Sequence, residues 1–288
     1  MSTRTIASPP QVEFFPSAPT HDHPLARGLA VIADDIRELR RFGPVVQNMV
    51  VQELRVRYQR SMLGFFWTLL NPILMMATLT VVFSQVFGQD PRNYAIYLFA
   101  GMIPWGLLSL SLSDCAYCII ANEGLIRKIY LPKLVFPLTK VLINLTTFVL
   151  SLVALFLLLI PLGARFSAPM LALPLAIVLF SAFTLGLGLL VATVNTFYRD
   201  CGHLVTVLLQ AWYFATPIMY ELQNFDGNRR WFLLNPALPF VRIFQAIIRD
   251  GQWPSLSMFA AAAALAALAL GVGYVVFKCY EDKLIFRL

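Results

Sequence analysis

The chain has 288 residues, of which 59% are hydrophobic and only 13% charged, with a net charge of +7 and a mean hydropathy of +0.72. Soluble domains carry about 25% charged and 45–50% apolar residues, so the composition excludes an ordinary soluble enzyme and points to a bilayer. The positive charge suits nucleic acid or anionic lipid equally, and only the placement of the charges separates them.

Residues 1–28 contain Pro9, Pro10, Pro16, Pro19 and Pro24 and no apolar core of signal-peptide length. They predict a disordered, Pro-rich cytosolic tail. Across Leu29–Ser61, Leu29, Ile32, Ile36 and Leu39 recur at helical spacing, with Asp34, Asp35, Arg37, Glu38 and Arg40 on other faces. Gly43-Pro44 breaks this helix. Pro44 opens a second one through Arg60, with Val46, Met49, Val50 and Leu54 apolar. A basic amphipathic helix lies at the membrane interface. The chain is therefore expected to run along the inner surface and turn into the membrane near Ser61–Gly64.

From residue 62 onward, uncharged runs mark six expected spans: Phe65–Phe87, Tyr94–Ser113 with a further turn or two, Val141–Leu162, a run within Phe166–Tyr198 starting after Pro169, His203–Tyr220, and Pro254–Phe277. About 20 apolar residues cross a ~30 Å hydrocarbon core. Runs this long are not barrel strands, so the expected fold is all-α and membrane-embedded. Sixteen Lys and Arg fall on the side that holds both ends. Six fall on the other: Arg92, Arg165, Arg229, Arg230, Arg242 and Arg249. Both termini are thus expected in the cytosol. The charge belongs to the inner membrane face, and no nucleic acid is needed to explain it.

On the outer side, Glu221–Trp253 holds an apolar stripe of Phe240, Val241, Phe244, Ile247 and Ile248, with Arg242, Gln245 and Arg249 off it. Trp231–Leu234 is a shorter apolar piece. Neither can span, and both read as re-entrant or interfacial segments. Trp67-Thr-Leu-Leu-Asn-Pro72 resembles Trp231-Phe-Leu-Leu-Asn-Pro236, but the flanks differ and no inverted repeat follows from it.

The sequence offers little chemistry. It has no phosphate-binding Gly-x-x-x-x-Gly-Lys-Ser/Thr loop, no nucleophile–base set and no metal-ligand cluster. Cys115 and Cys118 lie in an apolar run without a second pair, and read as packing residues. Asp114 and Lys140 fall near the inner ends of their helices, where they can reach the interface. Energy for any transport must then come from a partner. The loop NEGLIRKIYLPK over Asn122–Lys133 is charged yet holds Leu125, Ile126, Ile129, Tyr130 and Leu131. It suits contact with such a partner, or alternatively a short interfacial helix that touches only lipid.

Four stretches together resemble the membrane subunit of ABC-2-type polysaccharide exporters, which serve O-antigen, capsule and teichoic acid. They are LRVRYQRSMLGFFWTLLNP (Leu54–Pro72), the loop ANEGLIRKIYLPK, NTFYRD at Asn195–Asp200 and ATPIMY at Ala215–Tyr220. The resemblance covers Asp34 to the C-terminus. It implies a channel-forming homodimer of six-span subunits in a bacterial inner membrane, bound to a pair of separate ATP-binding subunits. ATP and Mg would sit on those partners, so this chain would bind no cofactor and catalyse nothing itself. It also implies a gate helix over 44–60, a coupling helix between spans two and three, and short outer gate helices between spans five and six. The implied substrate is a long lipid-linked glycan, commonly on polyprenyl pyrophosphate. The alternatives are an ABC-2 permease for a drug or small lipid, and a membrane-embedded enzyme or scaffold.

Three residue sets follow as candidates. Arg57 and Arg60 lie one helical turn apart. With Arg55 and Tyr58 in support, they are expected to collect a pyrophosphate headgroup bidentately, the alternative being generic binding of anionic lipid. Glu123, Arg127 and Lys128 are expected to dock on the ATPase. Gly64, Trp67, Asn71, Met75, Thr78, Val82 and Gln85 form one polar stripe, and His203, Thr206, Gln210, Tyr213, Pro217 and Tyr220 another. Of these, Trp67, Asn71, Gln210, Tyr213 and Tyr220 are expected to line the glycan path, the alternative being interhelical packing.

Overall fold

The structure is a computed structural model that describes residues 24–59, 66–88, 90–159, 167–220, 232 and 234–287. Its regular elements there are all helical. The chain divides into two compact units between Arg41 and Phe42. The first contains α1 (Pro24–Arg41), an amphipathic helix with Ile32 and Ile36 exposed and an Arg37–Asp34 pair at 3.2 Å.

The second unit opens with α2 (Gly43–Tyr58). Pro44 sits in its first turn, where a missing N–H costs nothing. The Phe42 carbonyl accepts from the Val45 and Val46 N–H groups. Next come α3 (Phe66–Phe87), α4 (Pro91–Ala121), the single turn α5 (Glu123–Ile126), α6 (Val135–Leu159), a 3-10 segment Ala168–Ala172 running into α7 (Leu173–Phe197), α8 (Cys201–Ala215), α9 (Leu238–Ile248) and α10 (Leu256–Leu284). Four segments are long and apolar enough to cross a membrane: Asn93–Ala121, Val135–Leu157, Ala168–Phe197 and Leu256–Arg287.

Local chemistry sets these bounds. Asp90 accepts from the Asn93 N–H at the start of α4, and Ser255 from the Met258 N–H at the start of α10. Gly88, at φ 60°, ends α3 in the left-handed conformation that glycine adopts without strain. At 31 residues α4 is about 46 Å long, so it outreaches the hydrocarbon core. The helix α8 stops at Ala215, short of the expected Tyr220. The cause is Pro217, which pushes Thr216 into extended backbone (φ −101°, ψ 130°).

The core is built on α4, which packs against α3, α6, α7, α8 and α9. Cys115 and Cys118 are free, buried thiols on α4, and Cys115 lies against Gly188 of α7. The most intimate pair is α7 with α10. Gly186 and Gly273 meet there, in a seam continued by Ala262, Ala266 and Ala269. Small residues let two backbones approach, and the gain is dispersion, since lipid offers no hydrophobic drive between helices. The 11-residue α9 cannot span. It is wedged among α4, α7 and α10, with Phe240, Val241, Ile243, Phe244 and Ile247 buried. Gln245, off the apolar stripe, is buried too, and its amide donates to the Pro217 carbonyl at 3.2 Å.

Candidate functional site

At the end of the bundle that carries α2 and α5, polar groups are paired inside the protein. Lys140 of α6 donates to Glu53 of α2 at 2.6 Å, and Asn144 donates to Asp114 at 2.8 Å. The sequence placed Asp114 and Lys140 where they could reach for the interface. Each instead has a partner on a neighbouring helix. The Lys140 and Glu53 side chains are 19% and 35% exposed, so their pair lies between the surface and buried limits. Glu53→Lys should destabilise the protein by about 1–3 kcal/mol, and the double reversal Glu53→Lys with Lys140→Glu should recover most of the loss. Thermal midpoints of the two singles and the double give the coupling directly. Additive midpoints would show that the pair holds nothing.

At the end of α2, Arg55 and Arg57 are exposed beside exposed Val51 and Val56, a mixture that suits a headgroup surface. Arg60 and the Tyr58 side chain lie outside the described residues, so the expected Arg57–Arg60 fork does too.

The loop after α4 is a defined structure. Asn122 donates to the Cys118 carbonyl at 2.7 Å, and the Lys128 and Ile129 N–H groups fold back on the Leu125 carbonyl. Glu123 and Arg127 pair with each other at 2.9 Å on an exposed face. Lys128, Ile129 and Tyr130 project outward, while Leu131 and Leu134 are tucked into the bundle. The apolar residues at the end of this loop and just past it therefore serve two ends. One pair anchors it, and the other is presented.

The two polar stripes fare differently. On α3, Trp67, Met75, Thr78, Val82 and Gln85 are all exposed, and the Asn71 side chain lies outside the described residues. On α8, His203, Thr206 and Gln210 are exposed. Beyond them the stripe turns inward: Tyr213 is half-buried, with its ring 5.7 Å from that of Trp105, and Pro217 is buried. Tyr220, past the helix end, donates to the Phe214 carbonyl at 2.7 Å, and its ring lies 6.1 Å from that of Phe232. The Thr78 and Thr206 hydroxyls satisfy themselves on the Leu74 and Gly202 carbonyls. Gln210 makes no side-chain hydrogen bond among the described residues.

Several structuring residues escaped the sequence reading. Buried backbone outside regular structure needs partners for its carbonyls. The turn after α8 has them: Tyr94 donates to Met219, and Tyr97 to Pro217 and Tyr220, at 2.8, 3.1 and 2.5 Å. Asn235 ties the same turn to the chain entering α9. It accepts from the Trp212 indole at 2.8 Å and the Ala237 N–H at 3.0 Å, and donates to the Ala215 carbonyl and the Thr216 hydroxyl. Asn195, 0% exposed, joins α7 to both α4 and α8. It donates to the Ala116 carbonyl at 2.7 Å and accepts from the Gly202 N–H at 2.6 Å. The available signal was an amide or phenol inside an apolar run, where each such group demands a partner.

Residues 44–248 match the family described as ABC-2 type transporter. The chain is 32% identical over 251 residues to the O-antigen export system permease protein RfbA of Myxococcus xanthus, covering 86% of this chain and 96% of that protein. It is 27% identical over 202 residues to an O-antigen export system permease protein RfbA of Klebsiella pneumoniae, covering 69% and 78%. A polysialic acid transport protein KpsM of Escherichia coli is 23% identical over 248 residues, covering 83% and 95%.

Proposed function

The chain belongs to the ABC-2 type transporter family, and on that premise we propose that it is the permease subunit of an ATP-driven exporter of a lipid-linked polysaccharide. The relatives named for O-antigen and polysialic acid support this substrate class. Membership makes it a multi-pass membrane protein that serves as a transporter permease. In this reading α3 and α8 add two crossings to the four long apolar segments, both termini face the cytosol, and α2 lies as a gate on the inner leaflet. A second copy completes the channel, and separate ATP-binding subunits drive it.

The observation that carries the reading is the exposed face of α8, with His203, Thr206 and Gln210 uncovered beside exposed Leu204, Val207, Leu208 and Phe214. An amide facing lipid would lack partners at a cost of a few kcal/mol. A second copy of the chain or a wet glycan path supplies them. Exposed Trp67 on α3 fits the same path, since an aromatic face stacks on the C–H face of a sugar without selecting hydroxyls. Such a surface lets a repeating polymer slide.

The coupling role falls to the loop after α4. Because Glu123 and Arg127 pair with each other, reversing both to Glu123→Arg and Arg127→Glu keeps that pair and inverts the charge pattern shown to a partner. Cells lacking the chain should accumulate glycan inside, and wild type should restore it to the surface. The doubly reversed variant should assemble yet leave export at a small fraction of wild type while ATP hydrolysis continues. Export at wild-type level would remove this loop from the coupling path. A deletion strain with normal surface glycan would sink the exporter reading itself.

A further inference from the structure

At the end of the bundle opposite α5, a cavity of about 430 Å³ opens between the start of α4, the end of α9 and the chain leading into α10. Its walls include Tyr97, Arg242, Arg249, Asp250, Gln252 and Trp253. We propose that this cavity is a binding site for the phosphate or pyrophosphate ester of a lipid headgroup, with Trp253 and Tyr97 flanking whatever the ester carries.

Charge is the first argument. Two guanidinium groups face one carboxylate, so the cavity is net positive. The Arg249 guanidinium lies 4.7 Å over the centre of the Tyr97 ring, with its Nε 3.8 Å from Asp250 Oδ1. These contacts hold the Arg249 side chain at the cavity wall. Arg242 makes no ion pair among the described residues. Arginine's fixed fork of donors matches phosphate oxygens bidentately. The first turn of α10 borders the same space and adds the positive end of its dipole.

Depth is the second argument. Tyr97 lies one turn into the Asn93–Ala121 span, and Trp253 lies just before the Leu256–Arg287 span. That is the level of the headgroups, where amphipathic aromatics collect. Gly251, at φ 59°, turns the chain so that the Gln252 N–H bonds the Ala246 carbonyl, and Trp253 follows at the cavity wall. The volume lies in the range of small-molecule sites, about 300–1,000 Å³. Interfacial Trp and Arg also occur singly as membrane anchors. Here they converge on one cavity with an acceptor and two amide-bearing neighbours.

The identity of the ligand rests on the exporter reading, in which this end faces outward and the site would receive the carrier's headgroup after it has crossed. An ordinary anionic phospholipid presents the same phosphate ester. The test uses the full chain in phosphatidylcholine nanodiscs, carrying Arg57→Gln and Arg60→Gln so that the inner arginines do not report. Farnesyl diphosphate should bind saturably. Arg242→Gln should weaken it about ten-fold or more, as expected for losing one charge-assisted bidentate contact. Trp253→Ala removes a side chain that is 61% exposed and therefore does not threaten the fold. It should weaken binding about three-fold or more. Adding phosphatidylglycerol to the discs decides the source: competition assigns the site to phospholipid, and none assigns it to the carrier, both with the site intact. Absence of saturable binding, or equal affinity in wild type and Arg242→Gln, overturns the proposal. The surface glycan of the deletion strain reports on the exporter reading separately, whatever this titration gives.

Discussion

Valine at Gly186 or Gly273 should abolish recovery of folded protein. A Cβ at Gly186 would fall within contact of the Ala269 carbonyl group and the Leu270 nitrogen, and one at Gly273 would meet the Gly186 backbone. All are backbone atoms, which cannot swing aside as a side-chain end can. The only relief is to move α7 and α10 apart, and that opens the whole seam from Ala262 to Phe277. Ordinary overpacking costs about 1–3 kcal/mol. Separating two spans forfeits many close contacts as well, so the cost here exceeds that range. Gly188→Ala should be milder, since its Cβ meets the Cys115 sulfur at 2.9 Å, on a side chain that can shift. Gly271→Ala should be neutral or slightly stabilising, because nothing lies within 4 Å of its Cβ and alanine favours helix over glycine by about 1 kcal/mol. Yield of monodisperse protein in detergent ranks the four. A Gly186→Val protein as monodisperse and heat-resistant as Gly271→Ala would refute the close crossing.

Asn195→Leu should be the most damaging single change in the polar network. Leucine keeps the branched outline, though with bulkier methyl ends, and leaves the Ala116 carbonyl and the Gly202 N–H without the partners they have now. Gly202 lies in the first turn of α8, where N–H groups have no intrahelical acceptor. Two orphaned buried groups together cost about 2–4 kcal/mol. The loss has a direction: α8 comes free of α4 and α7 at its first turn, while the α7–α10 seam is untouched. Hydrogen exchange should therefore accelerate at Gly202 and its neighbours before it does in α10, and export should fall further than thermal stability. Uniform acceleration across all helices would mean that Asn195 serves general packing, and unchanged exchange at Gly202 would mean that the bond is not formed.

The sequence by itself determined the class of molecule. Long uncharged runs can exist only where the backbone bonds within the segment. The helical character of α3, α4, α6, α7 and α10 could therefore be read within a turn or two, as could the short, non-spanning α9. The clustering of Arg and Lys carries an expectation of orientation, because charge at a membrane surface is read locally. What remained illegible depends on groups far apart in the chain. Lys140 looked like a residue that reaches for water until α2 brought Glu53 to it, 87 residues away. Tyr213 and Pro217 sat on a stripe that assumed one continuous helix. Pro217 ended that helix, and Tyr97, 120 residues earlier, took up the freed carbonyl. The alanines and glycines of α10 carried no amphipathic pattern, so only contact with Gly186 revealed which face is the seam. Hydropathy is a property of one segment against its solvent. Pairing is a property of two segments against each other, and the tertiary structure alone decided that.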